Sequence, residues 1–165
     1  TSMCGRASKR SPEMRRTRFE DAPCPIARTT DLMGDWWTPI VMREAFLGRR
    51  RFDDFQKALL VSRAVLSKRL TRLVDQGLLE KEEYEDRPKR YEYILTEKGR
   101  AFYPVLAAMW RFGEDWLWEE GAEPPLQIYD RESCEPVVPR VVNEKTGVPI
   151  DVRQLRLGWR RPEGG

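Results

Sequence analysis

Apolar residues recur every three or four positions in two successive segments near the start of the chain. The first segment, 25–33, opens on Pro25 and is followed by Gly34, and these residue types favour the beginning and the end of a helix. The second segment begins at Trp36, carries apolar residues as far as Leu47 and is also followed by a glycine. The pattern predicts two helices, of which the second is well buried.

Two further helices are predicted immediately downstream. Residues 52–60 have apolar positions spaced for a short helix, and Ser62, a residue type that caps helices well, opens a fourth helix over 62–76. Gly77 ends this fourth helix. Its apolar residues lie on one continuous face: Leu66, Leu70, Leu73 and Val74.

The opposite face of the 62–76 helix is cationic, and no acidic residue occurs between 62 and 74. Small residues let a helix approach a duplex closely while Arg and Lys reach phosphates and base edges. A solvated surface helix would more usually interleave Glu with Lys and Arg. We therefore favour DNA contact, with an ordinary solvated surface as the open alternative. The residues predicted to contact DNA are Arg63, Ala64, Ser67, Lys68, Thr71 and Arg72.

A β-hairpin is predicted directly after this helix. Residues 80–84 precede a charged tip at 85–89 that contains a proline, and apolar residues alternate in 90–95. A helix-turn-helix followed by a hairpin with tip cations is typical of a winged helix. The predicted DNA contacts of the wing are Arg87, Lys89 and Arg90, and Arg50 and Arg51 are expected to touch the flanking DNA backbone.

The pattern predicts a long final helix from 97 to about 119, capped by Thr96. Pro104 removes one internal hydrogen bond, so we expect a bend near it. The apolar positions of this helix exceed what one core face needs, which favours contact with a partner chain. Cover by the C-terminal tail stays open as the alternative.

Both ends of the chain differ from this middle part. Residues 4–23 are basic and lack apolar periodicity, which predicts a flexible arm. After residue 121, Pro, Gly and β-branched residues predict short strands at 126–129, 137–142 and 148–152, with a turn at 144–147. We expect a mainly α fold with a β-hairpin wing, divided into an arm over 1–23, a winged helix-turn-helix domain over 24–120 and a small C-terminal β-hairpin extension over 121–165.

The net charge of +3 is small but unevenly distributed, because 4–18 is basic and 114–135 is acidic. A molecule with one basic pole suits a nucleic-acid partner better than its net charge suggests, although charge alone fits a solvated surface equally well.

Composition argues against several other classes of function. The chain contains no histidine, which removes His-based acid–base catalysis, the Ser-His-Asp and Cys-His nucleophile systems, and His-ligated zinc. Its three cysteines, Cys4, Cys24 and Cys134, form no CxxC pair. We therefore expect no enzyme, no metal and no cofactor. No apolar run is long enough to span a membrane and no secretory signal is visible, so we expect a cytoplasmic protein without a membrane partner.

Several short motifs follow one another in a characteristic order over about 24–119. They are Cys24-Pro25-Ile26, Gly34-Asp35-Trp36-Trp37, Leu66-Ser67-Lys68-Arg69-Leu70, Gly77-Leu78-Leu79, Pro88-Lys89-Arg90-Tyr91-Glu92-Tyr93 and Leu95-Thr96-Glu97-Lys98-Gly99-Arg100. In this order they resemble the HxlR family of bacterial transcriptional regulators within the MarR-like winged helices. The resemblance implies a homodimer built from the N-terminal and C-terminal helices. Its two recognition helices would enter successive major grooves of operator DNA, about one helical turn apart.

The resemblance also bears on regulation and on the tail. Cys24 occupies a position where many family members carry a cysteine, which in some of them senses oxidants or electrophiles; a helix N-terminus and Arg28 would favour a reactive thiolate here. A merely inherited or buried cysteine is the alternative. Trp36 stands where the family usually has a cation. The tail resembles the degraded zinc ribbon of longer relatives, but only Cys134 remains in it, so zinc is not expected.

A small apolar or aromatic effector bound between the long helices is a further hypothesis. The candidate pocket residues are Met33, Trp36, Trp37, Met42, Met109, Trp110, Phe112 and Trp116. Such residues serve equally well as core and dimer interface. A different alternative is a winged helix used for protein contact without DNA, against which the acid-free cationic face argues.

Overall fold

The computed structural model describes residues 19–151 together with residues 153, 155 and 158. The described residues form a winged helix-turn-helix, as predicted; most of the predicted N-terminal arm lies outside them. No helix among them is long and apolar enough to cross a membrane. In chain order the elements are α1 (Pro25–Met33), α2 (Trp37–Phe46), α3 (Phe52–Leu59), α4 (Arg63–Asp75), β1 (Leu79–Asp86), β2 (Lys89–Leu95), α5 (Glu97–Arg100) and α6 (Tyr103–Leu117).

The core forms where α2, α3, α4 and the base of the hairpin meet. Its fully buried side chains include Val41, Met42, Phe55, Leu66, Leu70, Leu73, Leu78 and Leu79. Each such side chain contributes about 1.5–3 kcal/mol when it leaves water. The apolar face predicted for the fourth helix is confirmed, and its burial turns the cationic face of α4 outward.

The turn between α3 and α4 is held by local hydrogen bonds. Leu60 adopts a left-handed conformation with φ 52°, which ends α3. The Gln56 side-chain amide donates to the Val61 carbonyl at 3.3 Å, and the Ser62 hydroxyl accepts from the Val65 amide at 3.3 Å. Ser62 is therefore the predicted N-cap of α4.

Strands β1 and β2 pair antiparallel from Leu79 opposite Leu95 to Asp86 opposite Lys89, with a bulge between Glu83 and Glu85. The hairpin is tied to the loop before α3, because the Tyr93 amide donates to the Arg50 carbonyl at 2.8 Å. This places the wing beside the α3–α4 pair.

The prediction of one bent final helix was wrong. The chain instead forms two helices, α5 and α6, separated at 101–102, and α6 ends at Leu117. Pro104 lies in the first turn of α6, where its missing N–H costs no helical hydrogen bond. A helix therefore starts afresh at Tyr103 rather than continuing through the proline.

The predicted strands of the C-terminal extension are reduced to two isolated bridges, Tyr129 with Pro136 and Val142 with Pro149. Prolines lack the N–H that a ladder needs, so pairing does not extend beyond each tight turn. The turn predicted at 144–147 is confirmed, because the Gly147 amide donates to the Asn143 carbonyl at 2.7 Å. Residue 152, the end of the last predicted strand, lies outside the described residues.

Candidate nucleic-acid interface

The outward face of α4 exposes to solvent five of the six DNA-contacting residues that were predicted on this helix. Arg63, Ala64, Ser67, Lys68 and Thr71 are all exposed, while the opposite side of the helix is in the core. Among the described residues, no carboxylate lies within ion-pair distance of Lys68. The middle of the face is thus an uncompensated cationic surface with small neighbours.

Arg63, at the start of this face, is held in place from α3. Its guanidinium pairs with the Asp53 carboxylate at 3.3 Å and lies 4.7 Å from the centre of the Phe52 ring. Both groups of the ion pair are largely exposed, so water or a phosphate can replace the carboxylate at little cost. Arg63 is therefore oriented but still available.

Arg72 does not point outward with the others. Its Nη2 donates to the Asp31 carbonyl at the end of α1, at 3.1 Å, and its guanidinium lies against Gly34. Arg69 pairs with Asp35 in the same turn between α1 and α2. These two arginines fasten α4 to the preceding helices and thereby set its orientation.

A cleft of about 510 Å³ lies between α3, the start of α4 and the wing. It brings together four of the predicted DNA-contacting cations, Arg51, Arg63, Lys89 and Arg90, with residues that sequence reasoning missed, such as Lys57 and Tyr84. Lys57 lies on the polar face of α3, and nothing in the sequence around it distinguishes it from an ordinary surface lysine. Its lining has five cations against the two carboxylates of Asp53 and Asp54, and such an excess of positive charge in the cleft favours a phosphate.

The wing cations, in contrast, are paired within the wing. Lys89 meets Glu83 at 3.2 Å, Arg90 meets Glu85 at 3.3 Å, and Arg87, which is 95% exposed at the tip, meets Asp86 at 3.9 Å. At the wing base Arg51 pairs with Glu92 at 3.4 Å and stacks 4.8 Å from the centre of the Tyr84 ring. The positive charge predicted for the wing is therefore largely neutralised.

Glu44 anchors the loop that leads from α2 to Arg50 and Arg51. It is only 3% exposed, and its two oxygens accept from Arg43 Nη2 and Arg49 Nε, each at 2.5 Å. Burial by itself would raise the pKa of the Glu44 carboxyl, but the hydrogen bonds from Arg49 and Arg43 outweigh it and lower that pKa. The carboxylate is thus charged and shared by two cations.

The residues predicted to line an effector pocket are not gathered in one cavity. Met42 is fully buried in the core, whereas Trp36, Phe112 and Trp116 are 78%, 60% and 75% exposed. Met109 and Trp110 line a cavity between α2, α6 and the extension, and Met33, Trp36 and Met109 line a shallower depression beside the α1–α2 turn. Trp37 lines neither of these two.

Cys24 is the residue before the first turn of α1 and is half-buried. Its side chain caps nothing, and its carbonyl accepts from the Arg28 amide at 3.1 Å. The Arg28 guanidinium is turned to the Ala22 carbonyl, to which its Nε donates at 2.6 Å. The thiol is reachable, but this arginine is engaged elsewhere.

The chain belongs to the HxlR-like helix-turn-helix family, whose model matches residues 32–121. It is 34% identical over 139 residues to the uncharacterised HTH-type transcriptional regulator Rv3095 of Mycobacterium tuberculosis, covering 84% of this chain and 85% of the relative. These relatives define the protein as a helix-turn-helix transcriptional regulator.

Solved structures agree with this assignment. PA1607, a candidate transcription factor, is similar with a TM-score of 0.76 and 35% identity, over 86% of this chain and 99% of that one. The redox regulator HypR in its reduced form is similar with a TM-score of 0.53 and 30% identity, over 56% of this chain and 92% of its own. The predicted fold and family are confirmed.

Proposed function

We propose that this regulator binds double-stranded operator DNA with α4 in the major groove. The observation that carries the proposal is the outward face of α4. Ser67, Lys68 and Thr71 are exposed there, Leu66 and Leu70 are buried on the opposite side, and no carboxylate of the described residues pairs with Lys68. A helix fixed in this way can read base edges with its outward side chains. The cleft between α3 and the wing then receives the adjoining phosphates.

Gel shifts with the DNA upstream of the gene test this proposal. We expect Lys68→Ala to weaken binding about tenfold, while the matched variant Lys145→Ala, which removes an exposed lysine from a turn of the extension, leaves it unchanged. Equal binding by the wild type and Lys68→Ala would contradict the placement of α4 in the groove, and no shift by the wild type would support the alternative, a winged helix used for protein contact.

The same proposal includes a homodimer, as the family resemblance implies. In the described part of the chain no residue of α1 is buried, and α6 buries only Ala107. Their exposed apolar side chains include Ile26, Phe112, Trp116 and Leu117. Such a surface favours a second copy that covers it. Light scattering should give twice the chain mass, and Trp116→Asp should shift the protein toward monomer.

A thiol response is a second candidate activity, favoured by the similarity to HypR and by the reachable Cys24. Oxidation at the start of α1 would act on the helix that Arg72 joins to α4. We expect diamide to weaken operator binding by the wild type and not by Cys24→Ser. An unchanged wild type under diamide contradicts a sensor role, and Cys134→Ser serves as the matched control because that thiol is exposed in the extension.

A further inference from the structure

A cavity of about 300 Å³ lies between α2, α6 and the C-terminal extension. Its walls are mostly apolar and partly aromatic: Pro39, Ile40, Phe46 and Leu47 from α2 and its end, Tyr103, Leu106, Ala107, Met109 and Trp110 from α6, and Leu126 and Ile128 from the extension. Phe46 and Tyr103 meet edge to face with ring centres 5.0 Å apart. The volume suits a small ligand, and the rings suit a flat aromatic body.

The extension closes one side of this cavity. The Trp110 indole N–H donates to the Leu126 carbonyl at 2.6 Å, and Gln127 and Ile128 continue the wall. This hydrogen bond uses the indole donor, so the tryptophan offers a ligand its ring rather than its N–H. The extension is thus part of the cavity wall.

A cation stands at the edge of the apolar walls. Arg43 lines the cavity and donates through Nε and Nη2 to a single oxygen of Glu44, while Arg49 takes the other oxygen. Two guanidinium groups therefore share one carboxylate, which leaves one positive charge uncompensated among these three side chains. An anionic group placed at Arg43 would balance that charge.

We propose that this cavity binds a small aromatic carboxylate, with the ring between Phe46, Ala107 and Trp110 and the carboxylate at Arg43. The inference goes beyond the proposed function, since it gives a site and a ligand class to the effector that the sequence analysis left as a hypothesis. This cavity shares Met109 and Trp110 with the pocket predicted from the sequence, but the extension forms one of its walls and neither Trp36 nor Trp116 lines it. Binding is measured on the protein alone, so its outcome is separate from that of DNA binding.

Calorimetric titration with 2-naphthoate tests the site, with neutral 2-naphthamide as the probe for charge. We expect saturable binding of naphthoate with a Kd of about 1 mM or tighter, and weaker binding of the amide. Ala107→Leu should fill the cavity and raise the Kd about tenfold, whereas Ala108→Leu, the same change at the exposed neighbour on α6, should leave it unchanged. Circular dichroism verifies that both variants are folded.

A second variant keeps the test independent of packing. Arg43→Gln should remove the preference for naphthoate over naphthamide while Arg49 still pairs with Glu44. The proposal is overturned if naphthoate shows no saturable binding, as it would if a second copy of the chain already covered the cavity. It is equally overturned if Ala107→Leu and Ala108→Leu bind alike, or if the wild type binds the amide as tightly as the acid.

Discussion

Helix α4 and the wing both show clustered Arg and Lys in the sequence, yet their charges stand in different surroundings. Between 63 and 74, α4 has four cations and no acid, whereas residues 79–95 of the wing contain six acids and four cations. On α4, Arg63 and Lys68 point outward, whereas Arg69 and Arg72 bind to Asp35 and Asp31. In the wing Arg87, Lys89 and Arg90 each have a carboxylate partner.

The difference shows that residue type alone does not determine whether a cation is free to bind a phosphate. A wing cation must exchange a carboxylate for a phosphate, so its net gain on binding DNA is small. Lys68 has no such partner among the described residues and releases counterions from DNA without that exchange. We therefore expect α4 to dominate affinity and the wing to adjust it.

The largest effect should come from reversing charge on α4. Lys68→Glu is expected to lower operator affinity about a hundredfold, because it replaces an attraction to phosphate or base by a repulsion. Fluorescence anisotropy with labelled operator measures the loss. Lys145→Glu makes the same change of net charge in the extension and should cost less than about twofold. Similar losses in both variants would mean that net charge alone governs binding.

The fastening of α4 through Arg72 predicts the next largest effect. A Cβ at Gly34 would overlap the Arg72 guanidinium, and φ is +71° there. Gly48 has φ +88° and nothing within 4 Å of a Cβ, so Gly48→Ala is the matched control for backbone strain. Urea denaturation should show a loss of about 1 kcal/mol for Gly48→Ala and about 2 kcal/mol for Gly34→Ala, because the Arg72 side chain must then also move away and lose its hydrogen bond to Asp31. Equal losses would contradict the fastening.

Glu44, unlike the wing carboxylates, is buried, and two arginines share it. Because its pKa is lowered in the folded protein, its stabilising effect is present in full above the unfolded value of 4.5 and is lost as the pH falls through the lower folded value. Glu44→Gln should reduce the free energy of unfolding by about 1.5 kcal/mol at pH 7. The gap from the wild type should narrow as the pH falls below 4.5 and should be smallest below the lower folded pKa, where the side chain in the folded wild type is also neutral. A gap independent of pH would show that the charge of Glu44 does not stabilise the fold.

Much of the fold follows from local patterns in the sequence. Pro25, Gly34, Ser62 and Gly77 bound their helices as their residue types predict, and the alternation in 90–95 predicts β2. Pro104 predicts a bend within a helix, but proline also occurs in the first turn of helices. The apolar pattern alone does not distinguish a bend from the start of a new helix. In the extension, prolines at ladder positions outweigh the β-branched residues around them.

The sequence predicts the site where helical periodicity determines which side chains face the solvent. Exposure of Ser67 and Lys68 follows from the apolar spacing of their helix, whereas Arg72 lies at its margin and turns toward Asp31 through a contact 41 residues away. The pairing of Arg90 with Glu85 depends on the register of the hairpin and its bulge. Long-range partners of this kind are absent from any local pattern.

The smallest predicted effect concerns the wing and tests the comparison most directly. Glu85→Gln should raise operator affinity about two- to threefold, because Arg90 is then released for phosphate, and Arg90→Ala should lower affinity by a similar factor. The slope of log Kd against log salt should become steeper in Glu85→Gln and flatter in Arg90→Ala, since the number of phosphate contacts changes in opposite directions. Glu132→Gln, an exposed glutamate in the extension, controls for the change in net charge. A loss of more than about tenfold in Arg90→Ala would contradict the comparison and place the wing on a level with α4, since a cation that only exchanges a carboxylate for a phosphate should contribute little.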